Sequence, residues 1–99
     1  INSFGHAGDG NLHVYFLSAD GSADDLRRID HEIERLMRTT IAMGGTLTGE
    51  HGIGLAKRQY LGWEFDEATL RAMLAVREVL DPARLLNPDK LFAPSHDKP

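Results

Sequence analysis

Apolar positions along the chain change their spacing from segment to segment, and the spacing predicts the secondary structure. Leu12 to Leu17 is a continuous apolar run with β-branched and aromatic residues, which predicts a short buried strand. A long amphipathic helix is predicted between an N-cap at Ser22 and the Gly44-Gly45 pair. Its apolar face carries residues at spacings of three and four: Leu26, Ile29, Ile33, Leu36, Met37 and Ile41.

The second half of the chain predicts one further strand and two further helices. Thr46–Thr48 favours a short strand, and Leu55 to Leu61 favours a short helix. A better helix runs from the N-cap Asp66 to Leu80 and ends because Pro82 disfavours helical backbone before it.

The element order predicts an α+β fold with a short antiparallel sheet and two main amphipathic helices. Residues 85–92 form a turn-rich apolar segment, and residues 95–99 are polar and predicted to be a disordered tail. Two or three strands and two amphipathic helices cannot close a large sheet. We therefore expect a partner domain, missing strands or a second copy to cover the surface that this piece exposes. Its unpaired strand edges therefore predict self-association.

Composition narrows the class of protein. With 99 residues the chain forms at most one domain, and 41% hydrophobic with 26% charged residues is typical of a globular protein. The absence of cysteine excludes disulfides and thiol catalysis and leaves His, Asp and Glu as the strong metal ligands. A net charge of −4 without a basic stripe argues against nucleic acid as a partner. No apolar run approaches the ~20 residues of a membrane helix, and a cytoplasmic location is expected.

A glycine-rich loop with two histidines occupies the start of the chain, which opens without methionine and is expected to be part of a longer protein. His6 and His13 would lie roughly 23 Å apart on a straight strand and about 10 Å apart along a helix. They can bind one ion only if the chain reverses between them, and the residues of 8–11 (Gly, Asp, Gly, Asn) permit such a turn. The alternative is an ordinary hairpin turn in which neither histidine binds a metal ion.

A second glycine-rich loop holds Glu50 and His51. Neighbouring strand residues face opposite ways, so both side chains reach one site only through irregular backbone, which the flanking glycines allow. His6, His13 and Glu50 would then form a ligand set with open positions, and His51 would be free as an acid or base. The alternative is that Glu50 and His51 are solvated loop residues.

Other candidates are weaker. The order of glycines 5, 8 and 10 does not match a dinucleotide loop, and a strand follows instead of a helix. His31 is expected on the surface of the long helix, and His96 in the tail is expected to have no role. Lys57 and Arg58 would suit a substrate carboxylate, with a solvated helix face as the alternative.

Three motifs in order carry a resemblance that spans roughly residues 4–94: GHAGDGNLH, then GGTLTGEHGIGLAKRQYL, then LDPARLLNPDKLF. Together they resemble the C-terminal part of the FAD-linked oxidases of the vanillyl-alcohol-oxidase type. That family includes enzymes acting on D-lactate, glycolate and D-2-hydroxyglutarate. The resemblance implies a fragment of a ferredoxin-like cap domain over residues 1–94, with the FAD-binding domain outside this chain. It implies oxidation of a small D-2-hydroxy acid to the 2-oxo acid, with hydride transfer to FAD. The electron acceptor that reoxidises FAD is unidentified, and a membrane-bound acceptor would place the parent enzyme at a membrane surface.

The resemblance also implies roles for individual residues. His6, His13 and Glu50 match ligands of a divalent metal, zinc first, with manganese or iron as alternatives, and His51 matches the catalytic base. Asn87 matches a segment that folds towards the flavin, and Asn11 and Lys57 are the candidate substrate contacts. Tyr15 replaces an asparagine that contacts substrate in some relatives, so a diacid specificity does not transfer. The isolated piece is expected to be inactive. The rival hypotheses are a metal-dependent hydrolase with His51 as base and a non-catalytic dimerisation module.

Overall fold

The computed structural model describes residues 1–92, and the chain divides into two compact units, one of Ile1–His51 and one that begins at Gly52. The first unit holds a two-stranded antiparallel sheet and one long helix, and the second holds two helices. The predicted α+β class, with a short antiparallel sheet and two main helices, is confirmed. The predicted tail, with His96, lies outside the described residues.

The sheet is a hairpin of β1 (Asn2–His6) and β2 (Asn11–Tyr15). The strands are joined by a 3-10 turn over Ala7–Asp9 and by Gly10, whose φ of 67° is the left-handed conformation that favours glycine. The predicted strand from Leu12 to Leu17 corresponds to β2 but extends two residues beyond its C-terminal end. The residues of β1 were assigned to a glycine-rich loop. That assignment was wrong because Gly5 belongs to the ladder, opposite Leu12.

Two further strand predictions need correction. The run that contains β2 is not buried, since Leu12 is 67% and Leu17 is 72% exposed. Two strands alone bury little apolar surface, because the burial of a sheet face requires a second layer packed against it. Thr46–Thr48 is not a strand: within residues 1–92 the hairpin is the only ladder, and Leu47 is buried in irregular backbone.

Helix α1 spans Ala23–Ala42 and begins as predicted. The Ser22 side chain accepts a hydrogen bond from the Asp25 amide at 3.2 Å, which satisfies one of the free N–H groups of the first turn. The helix ends at Met43, and Gly44 follows with a φ of 79°. The apolar face predicted for this helix is half-buried over most of its length.

The second unit contains a 3-10 turn (Arg58–Tyr60), helix α2 (Leu61–Glu64) and helix α3 (Glu67–Leu80). The short helix predicted over Leu55 to Leu61 is therefore displaced towards the C-terminus. Leu55 is half exposed, whereas Tyr60 and Leu61 are buried, so the helical turns form where the apolar side chains are covered. Helix α3 begins as predicted, with the Asp66 carboxylate accepting from the Thr69 amide at 2.8 Å.

The segment after α3 is organised by Asp81, which is buried. Its carboxylate accepts hydrogen bonds from the Leu86 and Leu85 amides at 2.8 and 2.9 Å, and these bonds lower the pKa of Asp81 below its ordinary value. The following turns return to the start of the unit: the Leu91 amide donates to the Gly54 carbonyl, and Arg58 Nη1 donates to the Asp89 carbonyl. No helix in the described part of the chain is long and apolar enough to span a membrane.

Candidate functional site

One face of the hairpin gathers the candidate ligands of the first loop. The ladder pairs Phe4 with His13 and His6 with Asn11, and alternate residues of a strand share a face. The rings of His6 and His13 lie 6.1 Å apart between centroids. The chain reversal that the sequence required for these two histidines is present, at the 3-10 turn and Gly10.

Glu50 brings a carboxylate to the same face from a loop 37 residues further along the chain than His13. Its Oε1 lies 2.9 Å from His13 Nε2 and 3.7 Å from His6 Nε2. One donor atom from each of the three side chains lies within 4.8 Å of the other two. The three residues that the sequence singled out from separate loops therefore come together within the first unit.

The three donor atoms are of the kinds that bind a divalent ion, and the distances between them are close to those that one ion requires. Imidazole nitrogen and carboxylate oxygen bind zinc at about 2.0–2.2 Å, so two donors on one ion lie at most about 4.4 Å apart. The His6 side chain is 60% exposed and the Glu50 side chain 45%, which leaves both free to close the remaining fraction of an ångström. The His13 side chain is only 17% exposed and anchors the set to the sheet. The role of these residues as ligands stays a prediction.

His51 lies beside this set and remains open to solvent. Its Nε2 is 3.7 Å from Glu50 Oε1, its ring centroid is 5.0 Å from that of His13, and its side chain is 71% exposed. Glu50 and His51 reach the same region because they lie in irregular backbone, and Gly52 follows with a φ of 79°. An exposed imidazole adjacent to a set of metal-type donors can accept a proton from a molecule held there.

Asn11 fixes the Glu50 loop against the hairpin. Its side-chain amide packs on the backbone of Gly49, so closely that a Cβ at residue 49 would overlap the Asn11 Oδ1 atom. Gly49 is therefore required for close approach, which places Glu50 above the histidines. The structure gives Asn11 a positioning contact, and its predicted role in substrate binding stays a prediction.

Two aromatic residues of the same face were not recognised as part of the site. Phe4 lies 5.2 Å from the His13 ring and stacks on Tyr15 at 5.4 Å with an interplanar angle of 14°. From the sequence, Tyr15 stood out only because it replaces an asparagine that is present in some relatives. The alternation Phe4-x-His6 and His13-x-Tyr15 was the available signal, but the intervening Gly5 concealed β1.

The remaining candidates lie elsewhere. Lys57 and Asn87 belong to the second unit, where Lys57 is partly buried and Asn87 is exposed with a left-handed φ of 47°. Their predicted roles towards substrate carboxylate and flavin stay predictions. His31 lies on α1 with its side chain 76% exposed, and its expected surface position is confirmed.

Residues 1–91 of this chain match the family described as FAD linked oxidases, C-terminal domain. The chain belongs to this family. The two histidine-and-glutamate loops and the hairpin that aligns them are thus part of an FAD-linked oxidase C-terminal domain.

The relatives of this FAD-linked oxidase domain are named as oxidases or dehydrogenases of glycolate, D-lactate and D-2-hydroxyglutarate. The chain is 40% identical to glycolate oxidase subunit GlcD of Bacillus subtilis over 93 residues, covering 94% of this chain and 20% of the relative. It is 42% identical to a probable mitochondrial D-lactate dehydrogenase of Danio rerio over 88 residues, 89% of this chain and 18% of the relative. It is 41% identical to a D-2-hydroxyglutarate dehydrogenase of Xanthomonas citri over 98 residues, 97% of this chain and 21% of the relative. The chain spans about a fifth of the length of these relatives.

Proposed function

We propose that this domain supplies the substrate-side half of the active site of an FAD-linked dehydrogenase or oxidase that converts a D-2-hydroxy acid to the 2-oxo acid. The observation that carries the proposal is the meeting of His6, His13 and Glu50 on one hairpin face, with His51 beside them. Glycolate, D-lactate and D-2-hydroxyglutarate, which the relatives' names mention, are all 2-hydroxy acids. A cytoplasmic location and the completion of the hairpin into a ferredoxin-like sheet belong to the same proposal.

In this proposal His6, His13 and Glu50 hold a divalent ion, with zinc preferred for its affinity for imidazole and carboxylate, and with manganese or iron as alternatives. Such an ion would supply Lewis acidity that lowers the pKa of a substrate hydroxyl group. His13 acts as the fixed ligand because it is the least exposed of the three. The exposed His6 and Glu50 side chains adjust around it.

His51 takes the proton of the substrate hydroxyl group at an imidazole nitrogen. An unprotonated imidazole nitrogen within reach of the substrate hydroxyl group can act as a general base in this way. Asn11 orients the substrate from the same face. The resemblance suggests contacts of Lys57 with a substrate carboxylate and of Asn87 with the cofactor, and these remain proposals for the parent enzyme. FAD, held by other parts of the parent polypeptide, would accept the C2 hydrogen of the substrate together with its two bonding electrons, as a hydride.

Zinc titration of the purified chain by calorimetry tests the chain's part of this proposal. We expect one zinc ion per chain, with affinity reduced by more than about 100-fold in His13→Ala and Glu50→Gln, since even outer-shell partners of a metal contribute 10- to 100-fold. His31→Ala is the matched control because it removes an exposed histidine from α1. His51→Ala should retain zinc in the chain and abolish oxidation of D-lactate in the full-length parent protein.

Equal zinc affinity in the wild type, His13→Ala and Glu50→Gln would contradict the assignment. Hydrolase activity of the zinc-loaded chain would favour the rival metal-dependent hydrolase. No observation in the structure favours that hydrolase specifically.

A further inference from the structure

The hairpin face that carries the candidate ligands changes chemical character along its length. The turn end presents His6 and Asn11, and Phe4 lies opposite His13 in the middle of the face. Tyr15 lies opposite Asn2 at the open end, and its ring stacks on that of Phe4. Phe4 is 56% and Tyr15 48% exposed, so the stacked pair offers ring surface to the outside. An apolar surface thus begins 5.2 Å from the ring of the anchoring ligand His13.

The same face carries no cationic side chain that would attract a second carboxylate. By the ladder register it is formed by six residues, none of which is lysine or arginine: Asn2, Phe4, His6, Asn11, His13 and Tyr15. Towards the open end of the hairpin, a second substrate carboxylate would meet ring surfaces instead of a cation. The negative faces of aromatic rings repel a carboxylate and attract apolar groups.

We propose that Phe4 and Tyr15 form the subsite for the substituent on C2 of the 2-hydroxy acid. The domain therefore selects substrates with aliphatic or aromatic substituents over dicarboxylic 2-hydroxy acids. This inference rests on the proposed function, because it takes the hydroxyl and carboxylate groups to be held at His6, His13 and Glu50. With those two groups held, the substituent is the part of the molecule that remains to contact the aromatic pair.

The test uses the full chain loaded with zinc and follows the aromatic ring resonances by NMR during titration. The two ligands are D-3-phenyllactate, which has an aromatic substituent, and D-malate, which has a second carboxylate. We expect phenyllactate to shift the Phe4 and Tyr15 resonances and to bind about tenfold more tightly than malate, at the low end of the discrimination that an apolar pocket gives. Phe4→Ala should remove most of that difference when the variant is measured at saturating zinc.

Leu12→Ala is the matched control because Leu12 is exposed on the same hairpin but belongs to its opposite face. If circular dichroism shows that Phe4→Ala does not fold, Phe4→Leu and Tyr15→Leu replace it, and each should lower the phenyllactate preference.

The outcomes separate the inference from the proposed function. Zinc binding without ring shifts, or with malate bound as tightly as phenyllactate, overturns the aromatic subsite and leaves the metal site standing. A chain that binds no zinc contradicts the proposed function, and the subsite falls with it.

Discussion

Replacement of Gly49 by alanine should disturb the proposed metal site without altering any of its candidate ligands. A Cβ at this position would lie 2.5 Å from Asn11 Cγ and 3.0 Å from Asn11 Nδ2, whereas unstrained carbon contacts lie at about 3.5–4.0 Å. Either Asn11 moves, or the loop that carries Glu50 lifts from the hairpin. Overpacking of this kind costs about 1–3 kcal/mol.

If the whole of this free-energy cost opposes the position of Glu50 that binds zinc, the zinc affinity falls between about fivefold and about 150-fold. Calorimetric zinc titration measures the affinity, and urea unfolding of the metal-free chain measures the part that appears as lost stability. Gly8→Ala is the control, since an added Cβ at Gly8 meets nothing within 4 Å and Gly8 does not have a positive φ. It should leave both quantities nearly unchanged.

The double variant Gly49→Ala with Asn11→Ala identifies the cause. Removal of the Asn11 amide relieves the overlap, so the two substitutions together should cost less than the sum of their separate effects. Strict additivity, or Gly49→Ala behaving like Gly8→Ala, would refute the steric account of the loop.

Three further outcomes follow from other parts of the chain. Ser22→Ala should destabilise the chain by about 1 kcal/mol through loss of the α1 cap, and Ser22→Gly by a few tenths, as measured by urea unfolding; equal effects would argue against capping. The folded-state pKa of Asp81 is lowered, so its stabilisation is present above the unfolded pKa near 3.9 and is lost as pH falls through the folded value. Asp81→Asn should therefore flatten the acid limb of the stability–pH curve more than Asp30→Asn, an exposed carboxylate of α1. The exposed hairpin edges should produce concentration-dependent self-association, and a monodisperse monomer in light scattering would contradict that expectation.

The two long helices, α1 and α3, were predictable because their signals are local. Ser22 and Asp66 both cap helices where the sequence placed them, and the apolar spacing of α1 needs no knowledge of distant residues. The strands depended on partners. Gly5 pairs with Leu12 despite its low strand propensity, and Thr46–Thr48 has the propensity but no neighbouring strand.

The candidate site shows the same division. Residue type was enough to select His6, His13 and Glu50, and the residues between the histidines were enough to predict a reversal of the chain. The distance between Glu50 and the histidines depends on how the chain returns after α1, which no local pattern encodes. Phe4 was missed for a related reason, since its place beside His13 follows only from the ladder register.

The hairpin also sets an order of events during synthesis and folding. His6 and His13 are seven positions apart and are brought together by one short turn, a contact that forms on the microsecond timescale of hairpins. Glu50 joins them only after the whole of α1 has left the ribosome, at a synthesis rate of about 5–20 residues per second. For several seconds the nascent chain therefore presents two imidazoles without the Glu50 carboxylate, so an ion bound there during that interval would have only two of its three proposed protein donors.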